Sequence, residues 1–389
     1  MSLTLRPFTL ADAPAVNALC DQVWWPTRSL AGWRWMMDGP PGGRPTGEAA
    51  TGGWVCEQDG EVRAFLGNSI QRFDWLGAAL YGSTGHTLVA DPRAKGAARR
   101  LLRALVNQQN RFAVYTFNAN ALSSGFYRHY AMTPWPNATH AVKYSWRTDL
   151  AGVAAERLTW KLSRLTGLEA ARAGPERFMR AVPARPLRLP PSVTALPVQD
   201  IGPAFDALCA DVVATGLCVA RRDAATLRWR LTDPDNTRAP VLLAYEEDGR
   251  LAGYLLAQFA KQTQLDQVTL EIIDLFALPR RSARAIPTLV GALVANARRL
   301  GAVRVRMQTV SPDMDQLLRQ TPGARRQITH GHCHTRFYGH EALQVSGDWR
   351  PTPYDGDYGL VLRPPPLRPP PRGRASSARA PVAGAGSPA

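Results

Sequence analysis

Six residues, Arg93-Ala94-Lys95-Gly96-Ala97-Ala98, put two cations among small side chains. They sit where the pattern of a strand (Thr84 to Ala90) gives way to that of a helix (Gly96 to about Asn110). In that helix Leu101, Leu102, Leu105 and Val106 recur on one face, and Arg99, Arg100 and Arg103 lie largely opposite. The start of a helix carries four backbone N–H groups without helical partners and a partial positive charge. Such a junction suits a diphosphate. Gly96 lets an anion approach the backbone, Ala98 keeps the next turn small, and Arg93 and Lys95 add charge at the rim. Six positions with loose constraints also fit an ordinary strand-to-helix turn, so the surrounding elements must decide.

Those elements occur twice. Trp33-Arg34-Trp35 is echoed by Arg228-Trp229-Arg230, each followed by turn residues rich in Gly, Pro and Asp. Two hairpins follow, Trp54 to Asn68 and Leu242 to Ala257, each centred on Asp-Gly. Leu88-Val89-Ala90-Asp91-Pro92-Arg93 matches Leu275-Phe276-Ala277-Leu278-Pro279-Arg280, and each precedes an arginine-bearing helix. An apolar strand closes each series, Phe112 to Phe117 and Val303 to Val310. The shared order points to duplication of one α+β unit.

The first block, residues 3–146, resembles the GNAT superfamily of acyl-CoA N-acyltransferases. The Arg93 to Ala98 segment resembles its R/Q-x-x-G-x-G/A loop, Leu5 to Val16 its first strand and helix, and Phe126-Tyr127-Arg128-His129-Tyr130-Ala131-Met132 its closing "fYekhGF". The resemblance implies that backbone groups of about His86 to Val89, Leu88 among them, take the pantetheine arm of CoA. It implies that Arg93, Ala94, Lys95, Gly96, Ala97 and Ala98 hold the pyrophosphate. Tyr127 matches the tyrosine that protonates the departing thiolate, a role that a phenol can fill. Asn118 or Asn120 stands near an asparagine that orients CoA. Transfer would be direct: a neutral amine attacks the thioester, with no metal and no covalent intermediate. The base is open; His86 lies on the strand nearest the acyl group, with Glu57, Glu61 and Asp91 as alternatives. Trp24, Trp25, Trp33 and Trp35 cluster where family members bind the acceptor, although packing accounts for at least two of them.

The second copy is worn. In Pro279-Arg280-Arg281-Ser282-Ala283-Arg284-Ala285 the glycine is replaced by Ala283 and Arg284 intrudes, while Leu318 aligns with the tyrosine. A structural or acceptor-binding role is expected for it. His330, His332 and His334 alternate and invite a zinc reading, but one strand seldom supplies a whole site, and a half-exposed strand is expected instead. Asp355-Gly356-Asp357 suggests a carboxylate site or, more simply, a terminal turn.

The net charge of +16 raises nucleic acid as a partner. Yet the basic residues come singly or in pairs, and all but Lys95, Lys143, Lys161 and Lys261 are arginines. Nucleic acid is therefore not expected, and anionic small molecules fit the surface as well. Five scattered cysteines without metal-ligand spacing read as reduced thiols in a cytoplasm. The most apolar helical stretch, 286–297, is too short and too interrupted to span a bilayer.

The expected fold is α+β, two tandem GNAT-like domains with mixed, mostly antiparallel sheets. Residues 1–149 form the CoA-binding domain, 150–197 a helical and proline-rich linker, 198–363 the degenerate copy, and 364–389 a disordered tail. The expected activity is N-acetyl transfer from acetyl-CoA to a small amine such as an amino sugar or amino acid. Two rivals are a non-catalytic CoA-binding scaffold and a FemABX-like transferase using aminoacyl-tRNA. The intact phosphate loop argues against the second, since a tRNA donor leaves that loop without a ligand.

Overall fold

The computed structural model describes residues 3–23, 25–108, 110–166, 185–236, 238–261 and 266–362. Trp24, the tail from 364, residues 167–173 of the helix read from Leu150 and the start of the proline-rich linker lie outside the described residues.

The first half runs β1 (Thr4–Pro7), α1 (Ala13–Gln22), α2 (Leu30–Asp38), β2 (Gly53–Gln58), β3 (Glu61–Trp75), β4 (Ala78–Ala90), α3 (Ala97–Val106), β5 (Ala113–Thr116), α4 (Ala121–Arg128), β6 (Thr133–Pro134) and β7 (Val142–Arg147). After α5 (Leu150–Thr166) the second half repeats the plan. It comprises β8 (Val193–Ala195), α6 (Pro203–Val213), β9 (Val219–Ala220), α7 (Ala224–Leu231), β10 (Val241–Glu247), β11 (Arg250–Ala260), β12 (Thr269–Ala277), α8 (Ser282–Asn296), β13 (Arg304–Gln308), α9 (Pro312–Arg319), β14 (Arg325–Ile328) and β15 (His334–Phe337). The chain then passes through α10 (Ala342–Asp348) to α11 (Tyr358–Val361).

Local chemistry explains the hairpins. Asp59 and Gly60 both take positive φ (55° and 77°), as do Asp248 and Gly249 (54° and 71°). Two successive left-handed residues match the right-handed twist of the strands they join, which is why Asp-Gly marks these turns. Ser29 and Asp223 cap α2 and α7, accepting hydrogen bonds from the Gly32 N–H at 3.0 Å and the Thr226 N–H at 2.8 Å.

Two sheets result. The first has the order β1-β2-β3-β4-β5-β15-β6, with β9 paired to the far end of β3; the second has the order β14-β7-β13-β12-β11-β10-β8. Two strands are exchanged. β7, from the first half, lies antiparallel between β13 and β14 of the second sheet. β15, from the second half, lies antiparallel between β5 and β6 of the first. The alternation of Val142, Tyr144 and Trp146 buries all three in the core shared by both halves. The Tyr144 hydroxyl donates to Asp315 Oδ1 at 2.6 Å, and Trp146 Nε1 donates to Thr321 Oγ1 at 3.2 Å. Each sheet is therefore completed by the other half of the chain. Of the histidine run, expected to be a half-exposed strand, His330 is exposed and Arg336 and Phe337 are half-buried, whereas His332, Cys333, His334 and Thr335 are buried. The cause is the insertion of β15 between two strands.

Each sheet opens in the middle. β4 and β5 are parallel partners only from Gly82/Ala113 to Thr84/Tyr115, after which β4 continues to Ala90 against β3 alone. Leu66 opposes both Thr87 and Leu88, a bulge with Thr87 at φ 53°. The second sheet repeats this: β12 and β13 pair only over Thr269–Glu271 and Arg304–Arg306, and Ile273 is the extra residue of a β12 bulge.

Candidate active site

The phosphate-loop candidate lies where β4 leaves the first sheet. Ala94 N donates to Asp91 O at 3.0 Å, Lys95 N to Arg93 O at 3.0 Å, and Ala97 N to Ala94 O at 3.2 Å, folding the loop tightly. The N–H groups of Gly96, Ala98 and Arg99 have no acceptor among the described residues. Gly96 has φ +88°, and a Cβ placed there meets nothing within 4 Å, so the glycine opens the space in front of these amides. Leu101, Leu102, Leu105 and Val106 of α3 are buried, whereas Lys95, Gly96, Arg99 and Arg100 are exposed. Arg93 does not project freely: its guanidinium grips Asp91, with the shortest bond 2.7 Å. The Arg93 guanidinium holds the Asp91 carboxyl well below the usual carboxylate range.

Beside the loop, β4 runs from His86 to Ala90 without a partner on its β5 side. Val89 is buried and Leu88 half-buried. The His86 imidazole is packed flat over Gly67, where a Cβ would come within 1.9 Å of the ring. His86 is 3% exposed, edge-on to Phe65, with Nδ1 3.2 Å from Thr87 Oγ1. It lies within the β3–β4 hairpin.

Tyr127, on the inner face of α4, is buried and stacks on the His334 ring with centroids 5.7 Å apart. Burial raises its phenol above the ordinary value; the charge of Asp357 adds to this, and a hydrogen bond with Thr116 opposes it. The Thr116 hydroxyl also bonds the Asp357 carboxyl. Asp357 arrives just before α11 and lies against the end of β5, where Phe117 N donates to Oδ1 at 3.2 Å. Burial pushes this carboxyl up to about 7, against the hydrogen bonds from Phe117 and Thr116 that favour its ionised form. Tyr127, Thr116 and Asp357 thus form a chain from helix to strand to C-terminal segment. The sequence contained one signal for it, the acidic pair of Asp355-Gly356-Asp357. The turn expected there exists, over Pro353–Asp355, but it is interior.

Both asparagines have protein partners. Asn120 caps α4, its side chain accepting from Ser123 N at 2.8 Å, and Asn118 Oδ1 accepts from Gln308 Nε2 at 3.2 Å. The histidines are separately engaged: His330 Nε2 lies 3.0 Å from Ala119 O, His332 Nε2 accepts from Thr309 N at 3.4 Å, and His334 Nε2 lies 2.9 Å from Ser124 Oγ. Burial lowers the pKa of both His332 and His334. No group of three or more His, Cys, Asp or Glu among the described residues is placed to hold a metal ion. Trp33 packs against Phe8 and Phe65, and Trp35 stacks on Trp229.

The matching opening of the second sheet is filled. Arg222 Nε donates to Asp274 Oδ2 at 2.8 Å and its NH2 to Asp355 Oδ1 at 2.6 Å. The Tyr254 hydroxyl and the Thr352 hydroxyl complete the coordination of Asp274 at 2.6 and 2.7 Å. At the loop that follows, Arg281 and Arg284 pair with Glu247, and Leu318 is buried.

No protein-family model matches the chain and no curated protein matches it in sequence. Its structure does resemble solved ones. A probable N-acyltransferase from Enterococcus faecalis superposes with TM-score 0.54 at 11% identity, covering 88% of this chain and 74% of that one. A GCN5-related N-acetyltransferase from Anabaena variabilis gives 0.52 at 13% identity, covering 86% and 73%. The N-myristoyltransferase of Saccharomyces cerevisiae, solved with bound myristoyl-CoA and inhibitors, gives 0.50 at 10% identity, covering 87% and 79%. At such identities the likeness is one of fold, and it covers most of the chain: the chain has a GNAT-like α+β fold with two mixed sheets.

Proposed function

We propose that this chain is an acyl-CoA-dependent N-acyltransferase whose reaction centre is the opening between β4 and β5. The observation that carries this reading is the set of unpaired amides at Gly96, Ala98 and Arg99 beside an unpartnered strand edge. A diphosphate accepts from such amides, and an extended pantetheine arm can add its amides to such an edge. Acyl-CoA supplies an activated acyl group as a thioester; the chain's own residues supply the proton traffic. Asp357, its carboxyl pushed up to about 7, takes the proton that the attacking amine gives up. Tyr127 stays protonated and donates to the departing sulfur. Thr116 returns a proton from Asp357 to the phenolate, so the pair resets without bulk water. We assign the base to Asp357 rather than to His86, whose ring is wedged between strands.

The loop of the first half is the donor site in this reading, and the second half, its own opening filled by the Arg222 network, shapes the acceptor side. Acetyl-CoA is the donor we favour and a small amine, an amino sugar or amino acid, the acceptor. The five cysteines are all free and buried, which fits a reducing cytoplasm. No helix among the described residues is long and apolar enough to cross a membrane.

The test is release of CoA from acetyl-CoA with a panel of amines, run on the wild-type chain and Tyr127→Phe. Loss of the tyrosine proton should lower kcat by about 10²-fold while acetyl-CoA binding by calorimetry persists. Binding without turnover on any amine favours a CoA-binding scaffold. No binding at millimolar acetyl-CoA removes the reading and reopens a tRNA-borne donor.

A further inference from the structure

The structure holds a second unsatisfied feature in the cleft between α2, α7 and the second sheet. Arg230 is 6% exposed, yet neither of its terminal nitrogens has a hydrogen-bond partner among the described residues. A buried guanidinium is ordinarily paired, because an uncompensated charge away from water is strongly unfavourable. The acids whose charge reaches it are paired with other arginines. Asp233 lines the same cleft, but both of its oxygens are taken by Arg28 at 3.0 and 2.9 Å. Asp274 and Asp355 are taken by Arg222. What faces Arg230 is the Tyr354 ring, 5.5 Å away, and Gly359, where a Cβ would come within 2.7 Å of the guanidinium. The cleft walls are otherwise Trp35, Leu256, Gln258 and Ile273.

Other donors nearby are unsatisfied as well. Among the described residues Asn236 Nδ2 is buried without an acceptor, and Asn236 is held by Gln258, which lines the Arg230 cleft; Trp229 Nε1, in the neighbouring cleft, is likewise unpartnered. A region in which a buried guanidinium lacks an acceptor, with the nearby carboxylates already engaged, is complementary to an anion. Both terminal nitrogens of the guanidinium are buried without an acceptor, and together they form the end-on fork from which a planar carboxylate accepts two parallel bonds. The apolar walls suit a small organic acid better than a fully hydrated inorganic ion.

The cleft also communicates with the proposed reaction centre. Gly359 lies two residues after Asp357, and the Arg230 charge is felt at the Asp357 carboxyl. We infer that Arg230 is the anchor for a carboxylate carried by the acceptor, so that the substrates are amines bearing a carboxylate, held at Arg230 with the amino group toward Asp357. This rests on the acyl-transfer reading for its amine, but not for its anion. The repeat explains the residue's origin: Arg230 stands where the first half has Trp35, so the second copy contributes a cation to a wall that the first copy builds from an indole.

The test compares glycine, β-alanine, 4-aminobutyrate and 6-aminohexanoate with their primary amides, in the full-length chain with acetyl-CoA. At least one acid should be preferred over its amide by about tenfold or more in kcat/KM, the worth of a charge-assisted pair. Arg230→Met, which keeps length and removes the fork, should erase that ratio, and Arg230→Lys should restore only part of it. The same amino acids are titrated by calorimetry into protein saturated with CoA, which reads the anion site without turnover. Arg230→Met should abolish that heat, and an acetyl-CoA isotherm on the same variant reports whether the fold has survived. Turnover with equal rates on acids and amides overturns the carboxylate anchor and leaves acyl transfer standing. Acid binding that needs Arg230 but no turnover does the reverse. An unchanged ratio in Arg230→Met, or no acid binding in the wild type, overturns the anchor. Should Arg230→Met fail to fold, Arg230→Lys decides by the same ratio.

Discussion

The Trp35 indole lies flat on the Trp229 indole, with centroids 4.3 Å apart and planes within 10°, and Trp35 Nε1 donates to the Trp229 carbonyl at 3.2 Å. The two tryptophans occupy neighbouring positions of the duplicated Trp-Arg motif, so the repeat meets itself at this stack. Trp35→Ala removes a half-buried ring and its stacking partner's contact, and should cost about 2 kcal/mol of unfolding free energy. Urea unfolding checks it. A double-mutant cycle with Trp229→Ala should show coupling of about 1 kcal/mol; additive losses would mean that the stack contributes nothing beyond area.

Gly96 is the residue on which donor binding turns. Its φ of +88° is unfavourable for any side chain, yet open space surrounds a Cβ there. Gly96→Val should therefore fold with a stability loss of about 1–2 kcal/mol, while acetyl-CoA affinity falls by about tenfold or more as the side chain blocks the approach to the amides. Thermal unfolding and calorimetry on one sample separate the two effects. Unchanged affinity would remove the loop from the donor site.

Asp357 should leave a signature in pH. Its folded carboxyl sits near 7, raised by burial above the unfolded value of 3.8. Between those two values the folded state binds a proton that the unfolded state has lost. Its contribution therefore makes the protein less stable as pH rises through that window, by about 1.4 kcal/mol per pH unit and about 4 kcal/mol in all, and is flat above about 7. Asp357→Asn removes the titration. The melting temperature of the variant relative to wild type should climb from pH 5 to pH 7 and then level off. In the wild type, kcat/KM for transfer should rise from about pH 6 to about pH 8 with a midpoint near 7, and Asp357→Asn should abolish that limb. A stability difference independent of pH would mean that the carboxyl ionises normally.

The exchanged strands make each half incomplete. A chain ending at residue 149 keeps β7 but lacks the sheet that buries Tyr144 and Trp146, each 1% exposed, and it lacks β15 beside β5. Such a fragment should fail to unfold cooperatively and should bind an apolar dye. Adding the remainder, from residue 150 onward, should restore a single transition. A cooperative transition in the first fragment alone would show that the exchange is dispensable.

What the sequence could disclose was local. Asp59-Gly60 and Asp248-Gly249 announced their hairpins because two left-handed residues are a property of the turn itself. Gly96 and the one-sided leucines of α3 announced a strand-to-helix junction because a helix face depends on residues three and four apart. The duplication was visible for the same reason, since each copy carries its own turns, and the order of elements was enough to suggest the tandem fold. Partnership across the chain was not visible. Val142, Tyr144 and Trp146 alternate identically whichever sheet receives them, so nothing in 142–147 says that it pairs with Arg304–Gln308 from the other half. His334 alternates like an edge strand but lies between two others. Asp355-Gly356-Asp357 reads as a terminal turn until tertiary packing buries it; burial, a property of everything packed around a group, then moves the Asp357 carboxyl up to about 7. Arg230 is one arginine among 43 in the sequence, and only the packing of Tyr354, Gly359 and the Arg28–Asp233 pair leaves its charge without a partner. Short-range stereochemistry is written residue by residue, whereas register, burial and charge pairing arise from which distant segments come together.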